Sequence, residues 1–238
     1  MKLTIERGKL LKSLAHVQSV VERRTTIPIL SNVMLETSDG HLGLTATDMD
    51  LAVVEKVPAD VSQPGATTVP AHTLFDIVRK LAEGSQVEIG GSSEEGQLAL
   101  RSGRSLLKLQ TLASEDFPVM ADGDMPFRFT LGAAQVRALV DRTRFAISTE
   151  ETRYYLNGIY LHSTDDNGNP MLRAVATDGH RLARMEVPLP DGAAGMPGVI
   201  VPRKAVTELR KLVDESTSDV AVALSDTKVR FSTDEVVL

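Results

Sequence analysis

The sequence contains no cysteine and no tryptophan, and only three of its 238 residues are tyrosine. Without cysteine there is no disulfide, no thiol nucleophile, and no cysteine-ligated zinc or iron–sulfur site. No apolar run reaches the eighteen or so residues that a membrane helix needs, so no membrane partner is expected. The opening stretch "MKLTIERGKL" alternates and then turns amphipathic, without the apolar core of a secretory signal, which places the protein in the cytoplasm. Neither of the glycine-rich phosphate-binding patterns occurs, and the five histidines lack metal-ligand spacing, so no cofactor and no metal are expected. An excess of positive charge is also missing. The formal net charge is −6, which taken alone weighs against a nucleic-acid partner. What is present, 42% hydrophobic and 24% charged residues, suits a globular chain large enough for one big core or two ordinary ones.

The chain repeats itself. "LGLTATDMDLAVVEKVP" (42–58) and "LRAVATDGHRLARMEVP" (172–188) share Leu, Ala-Thr-Asp and Val-Pro at a constant offset of 130 residues. Three further pairs keep the order at nearly that offset: "PILSNVML" with "YYLNGIYL", "TTVPAHTLFDIVRKL" with "VIVPRKAVTELRKL", and "LTIERGKLLKSL" with "FTLGAAQVRALV". Ordered matches of this kind identify a duplicated unit of roughly 125 residues. The expected domains are 1–122 and 123–238. Copy one closes with "RSGRSLLKLQTLASEDFPVM", whereas copy two reaches "RFSTDEVVL", inside the matching strand. This predicts a piece of a longer protein, cut within the last strand of its second domain.

Helical spacing recurs at Leu10/Leu14/Val17/Val21, Leu74/Ile77/Val78/Leu81, Val136/Leu139/Val140 and Val206/Leu209/Val213. It predicts helices over 8–20, 71–81, 133–145 and 202–213, with Pro202 tolerated at the start of the fourth. Elsewhere short alternating runs are separated by turn signals, including "DG" at 39–40 and "NGN" at 167–169, which read as hairpin turns. Each domain therefore reads as strand–helix–three strands, twice over. This is an α+β fold with two helices packed on one face of antiparallel sheets, repeated in tandem. Charge is sorted between these elements. The four predicted helices hold eleven Lys and Arg against three acids, leaving the remainder strongly acidic. A basic helical surface of this kind meets phosphates without reading bases.

"ATDGHRLA" (176–183) is the stretch richest in reactive side chains. One reading makes Asp178 and His180 the centre of a metal-assisted enzyme. Against it, a metal site needs three or four ligands, and the same frame recurs as "ATDMDLA" (46–52) without the histidine. Twin positions Asp48 and Asp178 instead suggest carboxylates bonded to backbone N–H groups at a turn, and no catalytic residue is assigned.

"PILSNV" after a basic pair, "TATDMDL", "PGATTVPA", "LRSGRSLLKLQTL", "RYYLNG", "VATDGHRLA" and "VIVPRK" together resemble the bacterial DNA sliding clamps, the beta subunits of DNA polymerase III. The resemblance runs over essentially the whole chain. It implies the DNA-clamp fold, with the first two of three domains present, and no enzymatic activity. In that family two three-domain chains join head to tail as a homodimeric ring around duplex DNA, which they hold without sequence specificity. They tether the polymerase and act as processivity factors. The ring is also a docking hub for the DNA polymerase III alpha subunit, the clamp loader, other polymerases and repair proteins, through short linear motifs.

Carried over to this chain, the resemblance implies a partner-peptide pocket at Leu156, Thr177, Gly179, His180, Arg181 and Leu182. The leucines would anchor, Gly179 would admit a peptide backbone, and the polar residues would form a rim. For DNA it implies Arg24, Tyr154, Tyr155 and Lys204, joined by Arg137, Arg203, Arg210 and Lys211 from the basic helices. Glu150 stands where clamps can place a neutral DNA-contacting side chain, and a carboxylate there repels phosphate, so it is left out of this set. The edge strand in "LRSGRSLLKLQTL" implies a dimer interface at Leu107 and Leu109, supported by helix residues around Leu74.

Overall fold

The computed structural model describes residues 1–92, 96–118, 120, 123–215 and 218–238. Contacts divide the chain into two compact units, Met1–Met120 and Ala121–Leu238. Residue 122, where the sequence boundary falls, lies outside the described residues.

Unit one runs β1 (Lys2–Glu6), α1 (Arg7–Val20), β2 (Asn32–Ser38), β3 (His41–Thr47), β4 (Ala52–Pro58), β5 (Asp60–Gln63) and β6 (Gly65–Pro70). It continues through α2 (Ala71–Lys80), β7 (Gln86–Gly91), β8 (Gln97–Ser102) and β9 (Ser105–Gln110). Unit two repeats the order as β10 (Phe127–Leu131), α3 (Ala133–Asp141), β11 (Gly158–Asp166), β12 (Asn169–Thr177) and β13 (Leu182–Pro188). Then come β14 (Val199–Pro202), α4 (Arg203–Glu215), β15 (Val220–Leu224), β16 (Val229–Ser232) and β17 (Val236–Val237). The double strand–helix–three-strand pattern is thus present in both copies, with β5 the one insertion among the described residues. It runs antiparallel beside β1. All pairings are antiparallel, in the order β4-β3-β2-β6 and β1-β7-β8-β9 in unit one. Unit two matches these with β13-β12-β11-β14 and β10-β15-β16-β17.

The two hairpin turns form as expected. Asp39 and Gly40, and again Asn167 and Gly168, all adopt positive φ, the conformation a two-residue turn needs to match strand twist. In each unit the two helices pack on each other and on one face of the sheets. Leu10, Leu14 and Val17 of α1 and Leu74 and Val78 of α2 are fully buried with Leu35, Leu42 and Leu44 of the strands. Val136, Leu139, Val206, Leu209 and Val213 do the same work in unit two. Long-range polar ties fix the helices of unit one to each other and to the sheet. Arg7 donates through Nε to the Val78 carbonyl and through Nη2 to that of Arg79 (3.1 and 2.7 Å), capping the end of α2. His72 Nε2 lies 3.0 Å from the Val21 carbonyl just beyond α1. His16 Nδ1 of α1 meets Glu55 Oε2 of β4 at 2.7 Å, with both residues buried.

The third helix is shorter than its spacing predicts. It ends at Asp141, because the buried Thr143 hydroxyl donates back to the Leu139 carbonyl (2.6 Å). Arg144–Ala146 then forms a separate 3-10 turn, which takes Arg144 off the helix. The fourth helix runs past 213 to include Asp214 and Glu215. The four helices therefore carry ten basic residues against five acids, a weaker sorting than the predicted boundaries gave. No described helix is long and apolar enough to cross a membrane.

Candidate functional site

The turn between β12 and β13 is built by two side chains. Thr177 Oγ1 donates to the Arg181 carbonyl (2.8 Å) and accepts from the Gly179 N–H (3.1 Å). Asp178 Oδ1 accepts from the N–H groups of His180 and Arg181, both at 3.0 Å, and Oδ2 accepts from Arg181 Nε at 2.9 Å. Those backbone donors, first His180 and then Arg181, hold the Asp178 carboxyl down at about 2. Both of its oxygens are committed to the turn, so the metal-enzyme reading of Asp178 and His180 finds no support. Among the described residues no group of three or more His, Cys, Asp or Glu could hold a metal ion.

Copy one builds the same turn. Thr47 Oγ1 donates to the Leu51 carbonyl (2.9 Å) and accepts from Met49 N–H (3.0 Å), and Asp48 Oδ1 accepts from Asp50 and Leu51 (3.0 and 2.7 Å). The third residue has positive φ in both, +82° at Met49 and +90° at Gly179. Only the glycine adopts this freely, so copy one carries local strain at Met49.

The residues expected to form a peptide pocket are placed as follows. Leu182 is 64% exposed at the start of β13, His180 and Arg181 are exposed, and Thr177 is half-buried. Leu156 is half-buried at the end of a 3-10 segment, Glu151–Leu156, which the Ser148 N–H anchors by donating to the Leu156 carbonyl (3.0 Å). Two residues that the sequence reading did not include also lie here. Phe145 of the short 3-10 turn is 55% exposed, with the Arg181 guanidinium 5.5 Å above its ring. Arg153 reaches over Gly179, its Nη1 lying 3.2 Å from where a Cβ on that glycine would stand. The bare face of Gly179, expected to receive a peptide backbone, instead receives this guanidinium. The signal available in the sequence was the i,i+3 pair Glu150/Arg153, which forms at 3.0 Å.

The residues expected to meet DNA divide into two groups. Arg24 and Arg203 are exposed, Lys204 is half-buried, and Tyr154 and Tyr155 are 79% and 56% exposed with rings edge to face at 5.5 Å. The others are tied to neighbouring groups. Arg210, only 16% exposed, bonds Asp141 of α3 through Nε at 2.8 Å and also pairs with Asp214. Both carboxylates, Asp141 first, push its pKa further up. Arg137 donates to the Val213 carbonyl (2.6 Å), and Lys211 bonds the Glu208 carboxylate (2.9 Å). Arg210 and Arg137 therefore pin α3 to α4.

The residues expected at a dimer interface differ in exposure. Leu74 is fully buried and Leu109 is 5% exposed, so both serve the core of unit one. Leu107 shares the Leu109 face, since strand side chains alternate with period two, and is half-buried. The apolar residue that terminal strand β9 displays is Leu106, at 55% exposure.

Two tandem copies of this two-helix, two-sheet unit define the DNA-clamp fold. Residues 1–121 match the DNA polymerase III beta subunit, N-terminal domain, and residues 130–238 match its central domain. The chain belongs to the DNA polymerase III beta subunit family. It is 51% identical over 231 residues to the beta sliding clamp of Caulobacter vibrioides, covering 97% of this chain and 62% of that protein. Among solved structures, a Caulobacter crescentus beta sliding clamp superposes with a TM-score of 0.97 at 50% identity, covering all of this chain and 63% of the other. A Bartonella birtlesii sliding clamp solved bound to griselimycin gives 0.95 at 50% identity, with the same coverages. The chain thus spans a little over three-fifths of the length of the relatives it matches.

Proposed function

We propose that this chain supplies the first two domains of a non-catalytic DNA sliding clamp, which encircles duplex DNA in the cytoplasm and tethers replication and repair enzymes to it. The observation that carries this reading is the ordered match of both tandem units to the first two domains of the family. A ring needs no tight grip on DNA, because topology retains it, so a few exposed charges such as Arg24 and Arg203 suffice as salt-screened phosphate contacts. Tyr154 and Tyr155 offer flat faces on which a displaced single strand can stack. Tethering raises the effective concentration of polymerase at the template, which makes synthesis processive. The full-length protein, loaded on nicked circular DNA, is expected to stay bound through gel filtration and to leave when the circle is cut. Equal loss from circles and linear DNA would remove the ring.

The turn at Thr177–Leu182 is the docking site in this reading. A 64% exposed leucine directly after His180 and Arg181, with Leu156 as a second apolar surface in this reading, offers an apolar anchor with a polar rim, the arrangement short linear motifs use. Griselimycin, held by the Bartonella relative, is a probe for it. Leu182→Ala in the full-length protein should weaken griselimycin binding by roughly 1–3 kcal/mol, the range for a truncated anchor, measured by calorimetry. Unchanged affinity would move the docking site elsewhere.

A further inference from the structure

Glu150 is the residue that the DNA reading leaves without a task. It precedes the 3-10 segment Glu151–Leu156 and is exposed, where its charge would oppose phosphate. Its carboxylate Oε2 lies 3.0 Å from Arg153 Nε. The backbone reinforces that pairing. The Glu150 N–H donates to Ser148 Oγ (3.1 Å), and the Arg153 N–H donates to the Glu150 carbonyl (3.1 Å). Arg153 itself leaves helical geometry, with φ −106° and ψ 55°, so this segment is kinked at the residue whose side chain turns away toward Gly179.

The guanidinium end lies close against position 179, where there is no side chain. A Cβ there would stand 3.2 Å from Arg153 Nη1, closer than carbon and nitrogen pack at ease. One carboxylate therefore holds the near side of Arg153 while the turn glycine receives its far side. The tyrosines that follow point outward, and Tyr154 is 79% exposed.

We propose that Glu150 is a positioning residue for the docking site: it fixes Arg153 over Gly179, so that the guanidinium presents its donors to the backbone carbonyls of a bound peptide. This rests on the docking reading above. It assigns Glu150 to peptide affinity and not to DNA.

The test uses griselimycin and nicked circular DNA with the full-length protein. Glu150→Gln keeps the shape and removes the charge. It should weaken griselimycin binding two- to fivefold, as expected for a solvent-exposed ion pair, and Glu150→Asp should recover part of the loss. Arg153→Ala should weaken binding as much or more, and adding Glu150→Gln to Arg153→Ala should change nothing further, the non-additivity that marks action through a shared group. Additive losses would overturn the proposal. So would a Glu150→Gln protein that binds griselimycin normally while Leu182→Ala does not, or one whose only change is longer retention on DNA, which would make Glu150 a DNA-face residue. If Leu182→Ala also leaves binding intact, the docking reading falls and takes this inference with it.

Discussion

Alanine in place of Gly158 is expected to cost roughly 3 kcal/mol of stability, at the upper end of what one forced methyl does in a packed interior. Gly158 opens β11, is buried, and lies opposite Pro202 of β14. A Cβ built there falls on the Val201 carbonyl oxygen and comes within 2.8 Å of the Ile200 Cγ2. The obstacle is backbone, which cannot swing aside as a side chain can, so β14 must separate from β11. The damage should spread along the chain. The Arg203 N–H at the head of α4 donates to the Asn157 carbonyl (2.8 Å), so displacing β14 also shifts Arg203, Lys204 and the end of the Tyr154–Leu156 segment. Urea denaturation measures the loss. A shift below 1 kcal/mol would mean that the two strands part cheaply and that the glycine is not a packing requirement.

Replacing His16 by leucine should destabilise the protein by about 3–5 kcal/mol. The Glu55 carboxylate is 3% exposed and faces the His16 imidazole at 2.7 Å. Removing one member of a buried polar pair strands the other away from water. The pair also joins α1 to β4, so the helix loses its directional contact with the sheet while its apolar face stays intact. The double change His16→Leu with Glu55→Leu should recover most of the loss, since two apolar side chains of suitable size need no partner. If the double variant is as unstable as the single one, the cost lies in packing and not in the stranded carboxyl group. Guanidinium unfolding curves of the three variants distinguish these outcomes.

Much of the fold was legible because it is written twice. The offset of 130 residues between Thr47-Asp48 and Thr177-Asp178 identified the duplication, and the period of buried leucines and valines placed four helices among antiparallel strands. The turn frame was legible for the same reason, since a side chain kept in both copies while its neighbours differ must serve the backbone. What escaped were effects that depend on contacts distant in sequence or on one residue's register. Helix α3 stops early because Thr143 turns its hydroxyl back on the helix, a bond that apolar spacing does not register. Asp214 lies one residue beyond the predicted end of α4 and neutralises Arg210 from there. The placement of Arg153 over Gly179 required the three-dimensional meeting of two loops.

The paired turns also separate what holds a loop from what it shows. In both copies threonine and aspartate side chains bind the turn's backbone from the first two positions, while the third and fourth, Met49-Asp50 or Gly179-His180, offer them backbone N–H groups. The fourth position is open to exchange without disturbing that support, whereas the third, at positive φ in both copies, favours glycine. Within one chain, then, a single scaffold carries two different inscriptions, Met49-Asp50 and Gly179-His180, and the threonine and aspartate beneath are the same for both.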